Sequence, residues 1–146
     1  MIRTCTLLGI VMFTLVPALA AQQPGAGLPS GQTSGFSLEQ NYPNPFNPET
    51  TIPFSLGEDL FAEGGFLVVS IRIYNMLQQF VASPTALRHP AGEGAPVIDL
   101  EYTIPGRHEA FWDGRDQNGG QVASGVYFLQ LTVNGQSRYR RMFVTK

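Results

Sequence analysis

Between Asn41 and Pro48 the chain reads NYPNPFNP, with three prolines and three asparagines set around Tyr42 and Phe46. Each proline fixes its own φ and disfavours the α region for the residue before it. A helix therefore cannot cross Asn41, Tyr42, Pro43, Asn44, Pro45, Phe46, Asn47 and Pro48. A central strand is excluded as well, because it could not lose three ladder donors. What the segment can form is an extended, nearly rigid entry to a domain edge, holding Tyr42 and Phe46 at a set spacing.

Downstream, apolar residues alternate in short runs divided by turn residues, and no helical period intervenes. Thr51 to Leu56 reads as a first strand, which Pro53 marks as an edge. Phe66 to Tyr74 is the clearest run, with Leu67, Val69, Ile71 and Ile73 on one face and Ser70 and Arg72 on the other. Gln79 to Ala82 pairs back after a turn at Asn75 to Gln78. Val97 to Tyr102 and Glu109 to Trp112 follow, then Gly125 to Val133 pairs with Ser137 to Thr145 across Asn134-Gly135. Asn-Gly between alternating runs is a strong hairpin signal, since both central residues of a type I′ turn need positive φ. About seven strands in roughly 110 residues predict an all-β, disulfide-free, immunoglobulin-like sandwich from Phe36 to Lys146. Ala82 to Pro96 holds too little apolar content to pack and is predicted as a surface loop.

Residues 1–20 read as a secretory signal peptide: Arg3, an apolar run from Leu7 to Val16, then Ala18-Leu19-Ala20 as a small-residue cleavage site. Cys5, the one cysteine, leaves with it, and the run is too short for a permanent membrane span. Residues 21–35 form a Gly/Pro/Ser/Gln tether. Without Arg3 the chain keeps eight basic and eleven acidic residues, a balance that offers nothing to nucleic acid or to an anionic membrane. Four of those basic residues, Arg138, Arg140, Arg141 and Lys146, crowd the last nine positions, where charge protects a strand edge from aggregation.

Catalytic and metal motifs fail on spacing. Asp113, Asp116 and Asn118 in WDGRDQNGG lack the alternation and twelfth-position glutamate of a calcium loop. The segment reads instead as tight turns, with Asp113 and Asp116 bonding nearby amides and Gly114, Gly119 and Gly120 at positive φ. His108-Glu109 begins an HExxH whose fifth position is Trp112, and His89 stands in a polar loop. Ser124 has neither nucleophile elbow nor partners, and no phosphate loop or carboxylate pair is present. The chain is expected to be non-catalytic, without cofactor or metal, and Trp112 to be a core anchor.

In order along the chain stand LEQNYPNPFNPETTIPFSL (Leu38 to Leu56), VSIRIYNMLQQFV (Val69 to Val81), FWDGRDQNGGQVASGVYFLQL (Phe111 to Leu131) and RRMFVTK (Arg140 to Lys146). Together they resemble the type IX secretion C-terminal sorting domain in its type A form, and the related Ig-like domain of the flagellar hook-capping protein. The resemblance spans residues 38–146. It departs at Gln78, where the family usually places glycine, and over Ser83 to Tyr102, which is longer than usual.

That resemblance implies an exported protein that crosses the periplasm and ends at the cell surface or outside the cell. Its partners would be the outer-membrane secretion machinery and a sortase-like peptidase. By matching position, the recognition elements would be Gly125, Val126, Tyr127 and the basic strand with Arg140 and Arg141 that ends at Lys146. Residues Val144 to Lys146 would then serve recognition more than stability. A tether running straight back to the leader, without a cargo domain, leaves a second reading open: a free-standing envelope or extracellular Ig-like interaction module.

Overall fold

A computed structural model of the protein describes residues 35–146; the expected leader, Cys5 and nearly all of the tether lie outside the described residues. Nine strands are present: β1 (Phe36–Leu38), β2 (Thr50–Leu56), β3 (Leu67–Tyr74), β4 (Phe80–Ala82), β5 (Thr85–Ala86), β6 (Leu100–Tyr102), β7 (Gly106–Trp112), β8 (Gly125–Val133) and β9 (Gln136–Val144). A 3-10 turn at Glu58–Phe61 is the one helical element among the described residues. One sheet has the order β1-β2-β7-β5; the other runs β4-β3-β8-β9, with β6 also on β3. All strand pairings are antiparallel.

The seven expected strands are all there, and β1 and β5 are additional. Both extra strands are too short, at three and two residues, to carry a period-2 pattern. β5 changes the account of the Ala82 to Pro96 stretch. Thr85 and Ala86 pair with Phe111 and Ala110, and the Ala86 and Val97 side chains are fully buried. The stretch is thus stitched into the sandwich at both ends, and only its middle is a surface loop.

Pro53 does not mark an edge, because β2 lies between β1 and β7. The proline is tolerated by its orientation. Its carbonyl accepts Glu39 N–H at 3.0 Å, so its missing donor points past the end of β1 and not at β7.

Alternation drives the packing. Ile52, Phe54 and Leu56 on β2, Leu67, Val69, Ile71 and Ile73 on β3, and Leu129, Leu131 and Val133 on β8 all point into one continuous core. The β8–β9 hairpin turns at Asn134 (φ 46) and Gly135 (φ 84), the expected type I′ conformation. Asn134 also docks the turn on β3, its N–H donating to Val68 O at 3.1 Å and its Oδ1 accepting Val68 N–H at 3.1 Å.

Candidate functional site

NYPNPFNP is not an extended lead-in. It bends back over one end of the sandwich, with all three of its X-Pro bonds cis, and Phe46 is only 1% exposed. The phenylalanine ring meets Trp112 with centroids 5.5 Å apart, and Trp112 in turn meets Tyr127 edge-on at 5.9 Å. Aromatic pairs in this tilted geometry gain about 0.5–1.5 kcal/mol beyond their area burial. The segment is fastened at both ends. Buried Asn41 donates from Nδ2 to Thr50 Oγ1 (2.9 Å) and Pro43 O (3.1 Å), and Thr50 Oγ1 donates to Pro43 O at 3.0 Å. Tyr42, by contrast, stays outside and donates its hydroxyl to Glu109 Oε1 at 2.8 Å.

The other end of the segment clasps the last strand. Phe46 N–H donates to Phe143 O at 3.0 Å, and Phe46 O accepts Thr145 N–H at 2.9 Å, a short parallel bridge onto Val144. Asn44 Oδ1 accepts Phe143 N–H at 2.9 Å. The C-terminal turn of the chain is therefore tied down, and Val144 is buried. This corrects, at Val144 and Thr145, the expectation that the final residues serve recognition more than stability: Phe46, which holds Thr145, lies 99 residues earlier in the sequence.

The WDGRDQNGG segment folds as a pair of tight turns. Asp113 Oδ1 accepts Arg115 N–H at 3.0 Å, and Asp116 Oδ1 accepts the N–H groups of Asn118 and Gly120 at 2.9 Å each. Trp112, 2% exposed, donates its indole N–H to Arg115 O at 2.8 Å. Gly114 (φ 72) and Gly119 (φ 83) take the left-handed conformation, whereas Gly120 does not. At Gly114 a Cβ would collide with the Pro48 carbonyl, so the turn and the proline segment touch backbone to backbone. No group of three or more His, Cys, Asp or Glu that could hold a metal occurs among the described residues.

The residues matched to the recognition pattern fall into two sets. Gly125 and Val126 pair with Val144 and Phe143, and Tyr127, 8% exposed, lies under the clasp with its hydroxyl donating to Ala123 O at 3.0 Å. Burial raises the Tyr127 phenol above its ordinary pKa, against the lowering effect of that backbone bond. Arg140 turns toward the other sheet, where Nε donates to Leu38 O at 2.9 Å. Arg141 and Lys146 are exposed, with no ion pair among the described residues.

Charge is sharply segregated, which the net balance concealed. β3, β8 and β9 carry four arginines and no acidic residue. Arg88, Arg107 and Arg115, all outside those strands, form every ion pair among the described residues, with Glu109, Glu39 and Asp113. Within the five-stranded sheet the β3-β8-β9 surface is thus basic, and its one acid, Glu101, stands on the short strand β6; the other acids lie on the four-stranded sheet and in the loops.

These features define a disulfide-free, immunoglobulin-like β-sandwich closed at one end by a proline-rich clasp. No family model and no curated protein matches the sequence. Among solved structures, the chain is similar to part of dimeric latent PorU from Porphyromonas gingivalis, at TM-score 0.53 and 19% identity, over 75% of this chain and 9% of that one. It also aligns with PorZ, described as an essential bacterial surface component of the type-IX secretion system of that organism, at TM-score 0.43 and 20% identity, over 80% of this chain and 13% of PorZ. The chain therefore spans about a tenth of the length of either protein. The likeness to PorU is one of fold.

Proposed function

We propose that the protein is a non-catalytic, exported module of the type IX secretion pathway, whose basic final strand is a sorting signal for surface delivery and anchoring. The observation that carries this reading is the clasp. Three of the four blocks of the sorting-domain resemblance, NYPNPFNP, the WDG turn with GVY, and the terminal strand, converge on the single Phe46–Trp112–Tyr127 cluster. A fold shared with a segment of PorU supports it further. Fold alone does not confer function, so the role rests on the exposed residues of that strand. Tyr127 and Arg140 are occupied by the fold, which leaves the Arg141 and Lys146 side chains for the outer-membrane machinery and a sortase-like peptidase to read.

A reporter fused ahead of residues 22–146, behind a signal peptide, tests this in a host with type IX machinery. The wild-type fusion is expected at the cell surface, and an Arg141→Glu/Lys146→Glu fusion in the periplasm with an unchanged melting temperature. A wild-type fusion that stays in the periplasm would replace this reading with that of a free-standing envelope module. Surface delivery of both fusions would remove the role of the basic tail. For the metal-free, non-catalytic part of the proposal, chelator is expected to leave the melting temperature unchanged.

A further inference from the structure

β9 is an edge strand, and its outer edge is covered over only half its length. Odd-numbered residues point their backbone groups away from β8: Phe143 and Thr145 bond to the clasp, and Arg141 O accepts Gln40 Nε2 at 3.1 Å. Toward the N-terminal half the clasp ends. Tyr139 N–H and C=O, with the N–H groups of Ser137 and Arg141, find no partner among the described residues. An uncovered edge is a template for another strand. The side chains around it decide which strand.

We infer that the open edge from Ser137 to Arg141 takes an added β-strand from an acidic protein segment. Peptide-strand addition draws its affinity from main-chain hydrogen bonds and its specificity from alternate side chains. Here the unbonded main-chain groups ask for a peptide backbone, which a polysaccharide or a lipid cannot supply. On the inner face of the edge stand Arg138, over the Phe36 ring at 5.0 Å, and Arg140, bonded to Leu38 O. On the outer face stand Arg141 and Tyr139, the latter 63% exposed. Carboxylates on both faces of an incoming strand would meet guanidinium groups that lack any ion pair. Edge-to-edge pairing of two copies is disfavoured by the same residues, since it sets three arginines against three. The segment from Gln22 to Ser34 contains no acidic residue and does not fit either. This inference concerns binding alone and stands whether or not the chain is sorted by type IX machinery.

The test titrates the isotopically labelled chain with a peptide repeating Glu-Glu-Thr-Thr, which puts carboxylates on both faces of a strand, and in parallel with one repeating Lys-Lys-Thr-Thr. Amide shifts are expected to concentrate at Ser137, Tyr139 and Arg141, with exchange of the Tyr139 amide slowed about tenfold at a tenfold excess of peptide over Kd. The lysine peptide is expected to leave them unmoved. Tyr139→Pro removes one outward donor without touching the β8 ladder, and is expected to abolish binding. Arg141→Glu, at an exposed position, is expected to weaken it at least tenfold with the fold intact. Binding that survives both variants, or shifts confined to side chains while the Tyr139 amide stays unprotected, would overturn strand addition. Equal binding of polygalacturonate would reassign the edge to a general anion surface.

Discussion

Replacing Phe46 by alanine removes the plug of the clasp while leaving every proline in place. The ring is buried against Trp112, and its backbone carries the bridge to Phe143 and Thr145. Phe→Ala at a closed core site costs about 3–5 kcal/mol. A domain of this size has about 5–15 kcal/mol in total, so the variant would keep a fold with most of its margin gone. At roughly 4 °C per kcal/mol, the melting temperature is expected to fall by roughly 12–20 °C. The damage is also expected to be uneven. Amides of Phe143 and Thr145, which bond to the clasp, would lose exchange protection before those in the middle of the β8–β9 ladder. Because Trp112 is the sole tryptophan, its emission reports the same event and is expected to shift to the red. A loss below about 1 kcal/mol, with Trp112 emission and Thr145 exchange unmoved, would refute the clasp as a structural element.

Three further outcomes follow from single residues. Gly114→Ala drives a Cβ into the Pro48 carbonyl at φ 72 and is expected to cost about 2 kcal/mol or more by urea denaturation, whereas Gly119→Ala, with open space around it, is expected to cost about half that. Gln78 sits at φ 60 in the β3–β4 turn, so Gln78→Gly is expected to raise stability by up to about 1 kcal/mol; a loss would show that the turn depends on its side chain. Burial against Phe54 and Tyr102 lowers the His108 pKa below its ordinary 6.5, so its stabilisation is whole above about pH 6.5 and is lost as the pH falls through the folded value. Melting temperature is expected to drop over that window, and His108→Gln to flatten the profile; an unchanged slope in the variant would assign the effect elsewhere.

What was legible in the sequence was local. Val69, Ile71 and Ile73 alternate because one face of β3 is core, and Asn134-Gly135 specifies its own turn, so strands and hairpin could be read directly. The clasp could not, because its partners lie far apart: Phe46 and Val144 show no mutual signal along the chain, and the stiffness of NYPNPFNP says nothing about where it is aimed. β5 was hidden for a related reason. Two residues carry no period, and Ala86 is a strand residue only because β7 offers it a ladder. Gln78 shows the reverse case. The departure from glycine was visible, but its backbone keeps the left-handed conformation that glycine would favour, with Asn75 Oδ1 accepting Leu77 and Gln79 N–H to hold the turn.

The clasp also dictates how the sorting role must be tested. Deleting Val144 to Lys146 removes a buried side chain, the partner of Gly125 and the strand end that Phe46 grips. Such a truncation would open the end of the sandwich over the Trp112 cluster, and a misfolded reporter fusion also stays in the periplasm. Loss of surface delivery would then report stability, not recognition. Charge reversal at Arg141 and Lys146 separates the two, because neither side chain enters the core and neither has an ion pair to break. Surface substitutions of this kind usually move stability by less than about 0.5 kcal/mol. If export fails in that variant while Phe46→Gln, which weakens the clasp and keeps both charges, still reaches the surface in its folded fraction, then the signal is the charge. If the order is reversed, the machinery reads the closed end of the sandwich, and the arginines serve only the edge.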